Sequence, residues 1–291
     1  MISVVIRTFN EERHLGELLE SIRTQSVDLG VEVVLVDSGS TDRTLAIAEA
    51  TGCRVVHIEK SRFSFGRSLN LGCAAARGDY LVFVSGHCIP VDAHWLRHLV
   101  APLREGAAQY TYGRQVAGST TKFSEGQHFR RYFPGHSAIP QEGFFCNNAN
   151  AALLRTSWVQ LPFDEELTGL EDMAMAKAIV ARGGAIGYVA EAPVYHLHDE
   201  SWRTIRNRFE REAIALQGIM PQVHVTFGDF ARYVTSAVLL DFGAALQEGR
   251  LLAEAFPIVA FRTMQFWGSY RGNNEHRRLS QAMKDRYFYP R

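Results

Sequence analysis

At 291 residues, with 46% hydrophobic residues and a formal net charge of zero, the chain has the length and apolar content for one large α/β domain with a helical appendage. Balanced charge argues against a general nucleic-acid binder, whose affinity rests on neutralising phosphates, and the lack of any run of about 18 uncharged apolar residues argues against a transmembrane helix. The cysteines Cys53, Cys73, Cys88 and Cys146 show no C-x-x-C spacing and no signal-peptide pattern precedes the first strand, so a reducing, cytoplasmic compartment is expected.

Ile2 to Ile6 reads as a buried strand, followed by the polar turn Arg7 to Glu12 and a helix with Leu15, Leu18, Leu19 and Ile22 on one face. Val31 to Val36 is a second strand ending on Asp37. Ser38-Gly39-Ser40-Thr41 then leads into a helix from about Asp42, which is its cap. Arg54 to Ile58 is a third strand. A helix over about Arg67 to Arg77 leads to Tyr80 to Val84, an apolar run that stops in the polar turn Ser85-Gly86-His87 before Pro90. Alternating strands and helices imply parallel pairing with right-handed crossovers. That sets Asp37 and Ser85 to His87 along one sheet edge, the carboxyl end where open α/β sheets bind ligands.

Further on, Trp95, Leu96, Leu99 and Val100 mark a helix, and Gln109 to Ala117 alternates like a half-exposed strand. Ser119 to Gly143, rich in Gly, Pro, Phe and Arg, has no period and is expected to be a mobile loop over the site. Phe144 to Leu154 is apolar except for Cys146-Asn147-Asn148. Leu170 to Val180 is helical, with Glu171 and Asp172 in its first turn, and Ala185 to Tyr195 is a strand delivering His196 and His198. From Trp202 the chain reads as helical, broken at Pro221 and Pro257. A catalytic domain is expected over 1–220 and a helical extension over 221–291.

In this order SVVIRTFNEE, VDSGSTDRT, FSFGRSLNLGCAAARGDYLVFVS, FCNNANAALLR, GLEDMAMAKAI and VYHLHDESW resemble the family 2 inverting glycosyltransferases of the GT-A fold, particularly their bacterial rhamnosyltransferase-like branch. The resemblance covers about the first two thirds of the chain. It implies a mostly parallel central sheet flanked by helices, and transfer of a sugar from a UDP-, dTDP- or GDP-linked donor to a hydroxyl of a polysaccharide, glycolipid or lipid-linked acceptor. It places Thr8, Asn10, Glu11 and Asp37 at the nucleotide, Arg67 and Asn70 in the next donor loop, and Asp172 as the general base with Glu171 as runner-up or partner. In the slot of the family's D-x-D motif stand Ser85 and His87. That pair is less anionic than two carboxylates, so it suits Mn²⁺ better than Mg²⁺, or serves as a metal-free donor set. His198, ahead of His196, matches a position that completes a metal site.

Each of these residues also has a plainer reading. Asp37 can cap a turn, Glu171 and Asp172 can be helix-starting acids, and in an H-x-H strand one of His196 and His198 must face away from any site. Asn147 and Asn148 either satisfy buried backbone or, with Trp202, meet acceptor hydroxyls; Cys88 either belongs to the core or lines the site. Arg203, Arg206, Arg208 and Arg211 form a solvated face or a site for a diphosphate or an anionic lipid. Phe230 to Trp267 packs on the catalytic domain or on a second subunit, with an interfacial membrane contact, backed by the basic tail after Tyr270, as the alternative. Two other functions compete: a family member that binds without turnover, against which Glu171-Asp172 argues, and a sugar nucleotidyltransferase, which needs a glycine-rich loop that Arg7 to Glu12 lacks.

Overall fold

The computed structural model describes residues 1–275 and 281–288, so part of the basic tail after Tyr270 lies outside the described residues. Eight strands form one sheet: β1 (Ile2–Thr8), β2 (Val31–Asp37), β3 (Arg54–His57), β4 (Tyr80–Ser85), β5 (Cys88–Pro90), β6 (Tyr110–Ala117), β7 (Asn150–Leu154) and β8 (Ile186–His196), in the order β3-β2-β1-β4-β7-β6-β8-β5. The first four pair in parallel, as do β6 and β8, whereas β7 runs antiparallel to β4 and β6, and β5 antiparallel to β8. Leu81, Val82, Phe83 and Val84 are buried on both faces of the sheet, which is why β4 reads as an unbroken apolar run rather than an alternating one. The register opposes Thr8 to Asp37 and Arg7 to Ser85, so the carboxyl ends of β1, β2 and β4 share one edge, as the strand order predicted.

The helices α1 (Leu15–Arg23), α2 (Thr44–Ala50), α3 (Phe65–Ala75), α4 (Trp95–Arg104), α5 (Phe123–Tyr132), α6 (Arg155–Gln160) and α7 (Glu171–Ala181) fill the connections, followed by α8 (Trp202–Ile219), α9 (Phe227–Gln247), α10 (Leu251–Asn273) and α11 (Gln281–Phe288). Among the described residues no helix is long and apolar enough to cross a membrane.

Several expectations are corrected. The turn after β4 spans only Gly86-His87, because Cys88 to Pro90 turn back as an edge strand whose proline needs no further partner. β6 is buried over most of its length, since β7 and β8 flank it. The segment 119–143 is no structureless loop: Phe123, Glu125 and Phe129 are buried on α5, a face too short to register as a period. Pro257 lies inside α10, and the helical break falls instead at Gly249, whose φ of +68° suits glycine.

The chain divides into two compact units. One comprises Met1–Gly118, Tyr132–Glu166 and Glu171–Leu197; the other comprises Ser119–Arg131, Leu167–Leu170 and His198–Arg291. In this division α8 falls in the unit that holds the C-terminal helices. Within the second unit α10 lies against α8 at glycines: a Cβ on Gly268 would sit 2.3 Å from the Arg206 carbonyl oxygen, and one on Gly272 would sit 2.1 Å from that of Glu210. Phe123, Ala245 and Ile258 form one small core there, and Ile205, Phe209 and Phe261 another.

Candidate active site

At the edge where β1 and β2 end, the two loops hold each other by their polar groups. Asp37 is 1% exposed, and its carboxylate accepts the backbone N–H groups of Gly39 (2.9 Å) and Ser40 (3.0 Å). Gly39 takes a φ of +94°, which closes the turn. Thr8 Oγ1 lies 3.5 Å from the same carboxylate. Asn10, itself at φ +57°, accepts the Thr41 N–H (2.8 Å) and donates its own N–H to Ser40 Oγ (2.9 Å). Asp42 Oδ1 accepts the Thr44 N–H at 2.9 Å, but the N-cap of α2 is Arg43, so Asp42 closes the turn that leads into the helix instead of serving as the cap the sequence suggested. Thr8, Asn10 and Asp37 are thus brought together, and the carboxylate of Asp37 shapes this loop.

Beyond β4 the structure supplies a carboxylate that the local sequence lacks. Glu11 reaches across to His87, with Oε1 2.8 Å from Nδ1. Gly86 leaves room for that side chain, since a Cβ there would lie 2.8 Å from Glu11 Cγ. His87 stacks on His196 with ring centroids 5.2 Å apart. His196 in turn is oriented by amides: the Ala149 N–H and Gln115 Nε2 both donate to Asn147 Oδ1 (2.9 and 3.0 Å), so Gln115 Oε1 faces His196 Nδ1 at 2.6 Å. That chain places the proton on Nδ1 and leaves Nε2 as the ring's acceptor nitrogen. Cys88, fully buried beside them, has its thiol pushed up by burial and belongs to the core.

The third group comes from α7. Asp172 is buried; its Oδ2 accepts the Asn148 N–H and its Oδ1 the Met173 N–H, each at 2.8 Å. Burial, and then the neighbouring charge of Glu171, push its carboxyl up to about 7. Glu171 pairs with Arg7 at 3.1 Å, and Arg7 also lies over the Phe65 ring at 4.9 Å. Since Arg7 opposes Ser85 across the ladder, this ion pair anchors the first turn of α7 at the carboxyl edge of the sheet. Tyr110 donates its hydroxyl to Asn148 Oδ1, which fixes the amide, and Asn148 Nδ2 is buried with no hydrogen-bond partner among the described residues.

Two further predicted groups have hydrogen-bond partners of their own within the chain. Asn70 uses its whole amide on the chain itself: Nδ2 donates to the Phe163 carbonyl and to Glu165, and Oδ1 accepts from Trp158 Nε1 and the Phe163 N–H. Arg67 pairs with Glu165 at 2.7 Å. Both residues staple the segment 158–165 to α3. His198 and Trp202 belong to the second unit. There His198 Nδ1 and Arg208 lie 2.7 and 2.6 Å from Glu125; although burial works against ionisation, these two partners hold the Glu125 carboxyl at about 2. Arg208 also pairs with Glu200, and Arg211 donates to the Tyr287 carbonyl, so these two members of the predicted basic face are engaged within the unit. Lys122 lies over the Trp202 ring at 5.3 Å.

Arg7, Tyr110 and Gln115 escaped the sequence reading. A charged residue directly after the apolar run of β1 and a glutamine inside β6 were the available signals.

Residues 3–160 match the family model described as Glycosyl transferase family 2. The chain is 26% identical to the O-antigen chain rhamnosyltransferase RfbN of Salmonella typhimurium over 72% of this chain and 69% of that one. It is 38% identical to the glucosyl-3-phosphoglycerate synthase of Mycolicibacterium paratuberculosis, over 36% of this chain and 34% of that protein. Its fold is similar to the mannosyltransferase PcManGT of Pyrobaculum calidifontis in complex with GDP-Man and Mn²⁺, with a TM-score of 0.61 at 17% identity, covering 99% of this chain and 87% of the other.

Proposed function

The chain belongs to glycosyl transferase family 2 and is a glycosyltransferase of the GT-A fold; from that premise we propose that it transfers a sugar with inversion, using Asp172 as general base. The donor is a nucleoside-diphosphate sugar, UDP, dTDP or GDP linked. The acceptor is a hydroxyl of a polysaccharide, glycolipid or lipid-linked glycan, met in the cytoplasm at the inner face of the membrane. The name of RfbN supports a deoxyhexose and a growing polysaccharide.

The observation that carries the reading is the Asp172 carboxyl, held by backbone N–H groups of Asn148 and Met173 and raised to about 7. A base of that strength is half ionised near neutral pH and takes a proton readily when the acceptor oxygen begins to bond. In the step, the acceptor oxygen attacks the anomeric carbon and its proton passes to Asp172. The bond from that carbon to the diphosphate oxygen breaks, and the electron pair leaves with the nucleoside diphosphate. Glu171, paired with Arg7, fixes the turn that presents Asp172.

The donor set of the first unit suits a divalent ion of borderline softness. Glu11 adds the anionic oxygen that Ser85 and His87 lack, and imidazole is a better ligand for Mn²⁺ than for Mg²⁺. Glu11, Ser85 and His87 would hold it, and it would neutralise the charge gathering on the leaving diphosphate.

The deciding experiment is Asp172→Asn assayed for transfer and for nucleotide binding. Turnover should fall by about 10²- to 10⁴-fold while donor affinity stays within about threefold. Turnover that survives the substitution would remove Asp172 from the role.

A further inference from the structure

Between Tyr233 and Gln247 the only charged residue of α9 is Asp241, and between Ala255 and Tyr270 the only one of α10 is Arg262. These two face each other inside the second unit. Arg262 Nε and Nη2 lie 2.8 and 2.9 Å from the carboxylate, and both residues are buried. With its charge turned inward, the pair of helices exposes apolar side chains outward: Leu239 is 63% exposed, Leu240 67%, Leu246 66%, Leu252 99% and Phe256 74%. On α9 these fall at helical spacing with Ser236 and Gly243, in one stripe opposite the buried positions Asp241 and Ala245. Apolar patches this continuous are uncommon on a monomer's surface.

We propose that this face is covered by a second copy of the chain, in a two-fold contact centred on α9 and flanked by α10. Charge favours this occupant. A helix that lies on a bilayer carries uncompensated Lys and Arg beside its apolar face. Here Arg232 is paired with Asp229 at 3.0 Å, Arg250 with Glu254 at 2.6 Å, and Arg130 with Glu248 at 3.3 Å, and α9 contains no lysine. Among the described residues these fringe arginines each have a carboxylate partner, which weakens their pull on anionic lipid.

Shape and size agree. A two-fold axis between Leu239 and Leu240 brings each of these onto the other in the second copy, and sets Ser236 against Gly243 and Tyr233 against Leu246. Large residues then meet large ones at the ends and centre, and small ones let the backbones approach between them. A helix of 21 residues is about 31 Å long, and two packed helices are about 20 Å wide. The footprint of roughly 600 Å² before side-chain relief approaches the ~800 Å² per partner of a stable interface.

The test is sedimentation velocity on the full-length protein from about 1 to 50 μM, with and without vesicles of phosphatidylcholine and phosphatidylglycerol. The wild type should sediment at twice 32.6 kDa. Leu240→Glu should weaken self-association at least about 100-fold with an unchanged thermal midpoint, because the site is exposed in the single chain. Leu246→Gln, a milder change at the far end of the stripe, should weaken it about tenfold and serves as the measure if Leu240→Glu yields no soluble protein. A wild type that stays monomeric at 50 μM overturns the proposal. So does a monomer that binds vesicles and loses that binding in either variant, which assigns the face to lipid.

Discussion

Asp172 makes opposite demands on activity and stability. Its carboxyl is raised to about 7 in the folded chain, chiefly by burial and then by Glu171, whereas the unfolded chain has the ordinary aspartate value of 3.8. The folded state therefore holds the proton more tightly. Stability is fully present below pH 3.8 and is lost as pH rises through about 7, at about 1.4 kcal/mol for each pH unit between those two values. Activity has the reverse dependence, because only the ionised form accepts a proton. The acid limb of kcat/KM should thus turn near pH 7, and disappear with the residual activity of Asp172→Asn. That variant should unfold in urea with a gain of about 1 to 2 kcal/mol over wild type at pH 8. The gain is smaller than the full linkage because an amide offers one acceptor oxygen to two backbone donors, and because wild type regains more than that as pH falls, at pH 5 the order should reverse and the variant should be the less stable protein. Asn148 gives a second prediction at this scale. Tyr110 holds its Oδ1, so Nδ2 faces away with donors to spare. If those donors meet a sugar oxygen, Asn148→Ala should raise the acceptor KM about tenfold with kcat nearly unchanged, and Tyr110→Phe should do the same more weakly by releasing the amide. Equal loss in kcat and kcat/KM would show that Asn148 acts in the transition state instead.

Among the elements, α10 is the one whose substitutions should cost most. Arg262→Ala leaves the Asp241 carboxylate buried without its cation, a loss of about 3 to 5 kcal/mol. The double change Arg262→Met with Asp241→Leu should recover most of it, since two apolar side chains of similar volume need no pairing. Equilibrium urea unfolding of the three proteins measures this directly. Gly268→Leu should be less tolerated still, because the Cβ alone would be 2.3 Å from the Arg206 backbone oxygen and neither helix backbone can yield. The elements themselves were readable where local chemistry decides them. β1, β2, β4, α1 and α7 fall within a residue or two of their predicted bounds, since their apolar runs and first-turn residues are local properties. α5 was not readable, because its burial comes from helices far away in the chain. Pro257 failed as a breaker because the neighbouring turns of a 23-residue helix, packed on α8 and α9, outweigh one missing hydrogen bond.

For the whole molecule, the remaining prediction concerns the donor and its ion. Calorimetric titration of UDP, dTDP and GDP should show binding with Mn²⁺ that weakens about tenfold or more in EDTA, and His87→Ala and Glu11→Gln should each abolish the Mn²⁺ dependence. Tight binding in EDTA would assign the leaving group to protein donors alone. The sequence by itself determined the class of sheet, the edge that carries the candidate site, and the acidic pair that opens α7, because strand periodicity and turn chemistry are encoded over a few adjacent residues. Only the tertiary structure decided which groups stand together. Glu11 and His87 are 76 residues apart, His196 and Gln115 81, and Arg7 and Glu171 164. Those pairings depend on strand order and register, which arise from the packing of whole faces and leave no mark on the spacing of residues along the chain.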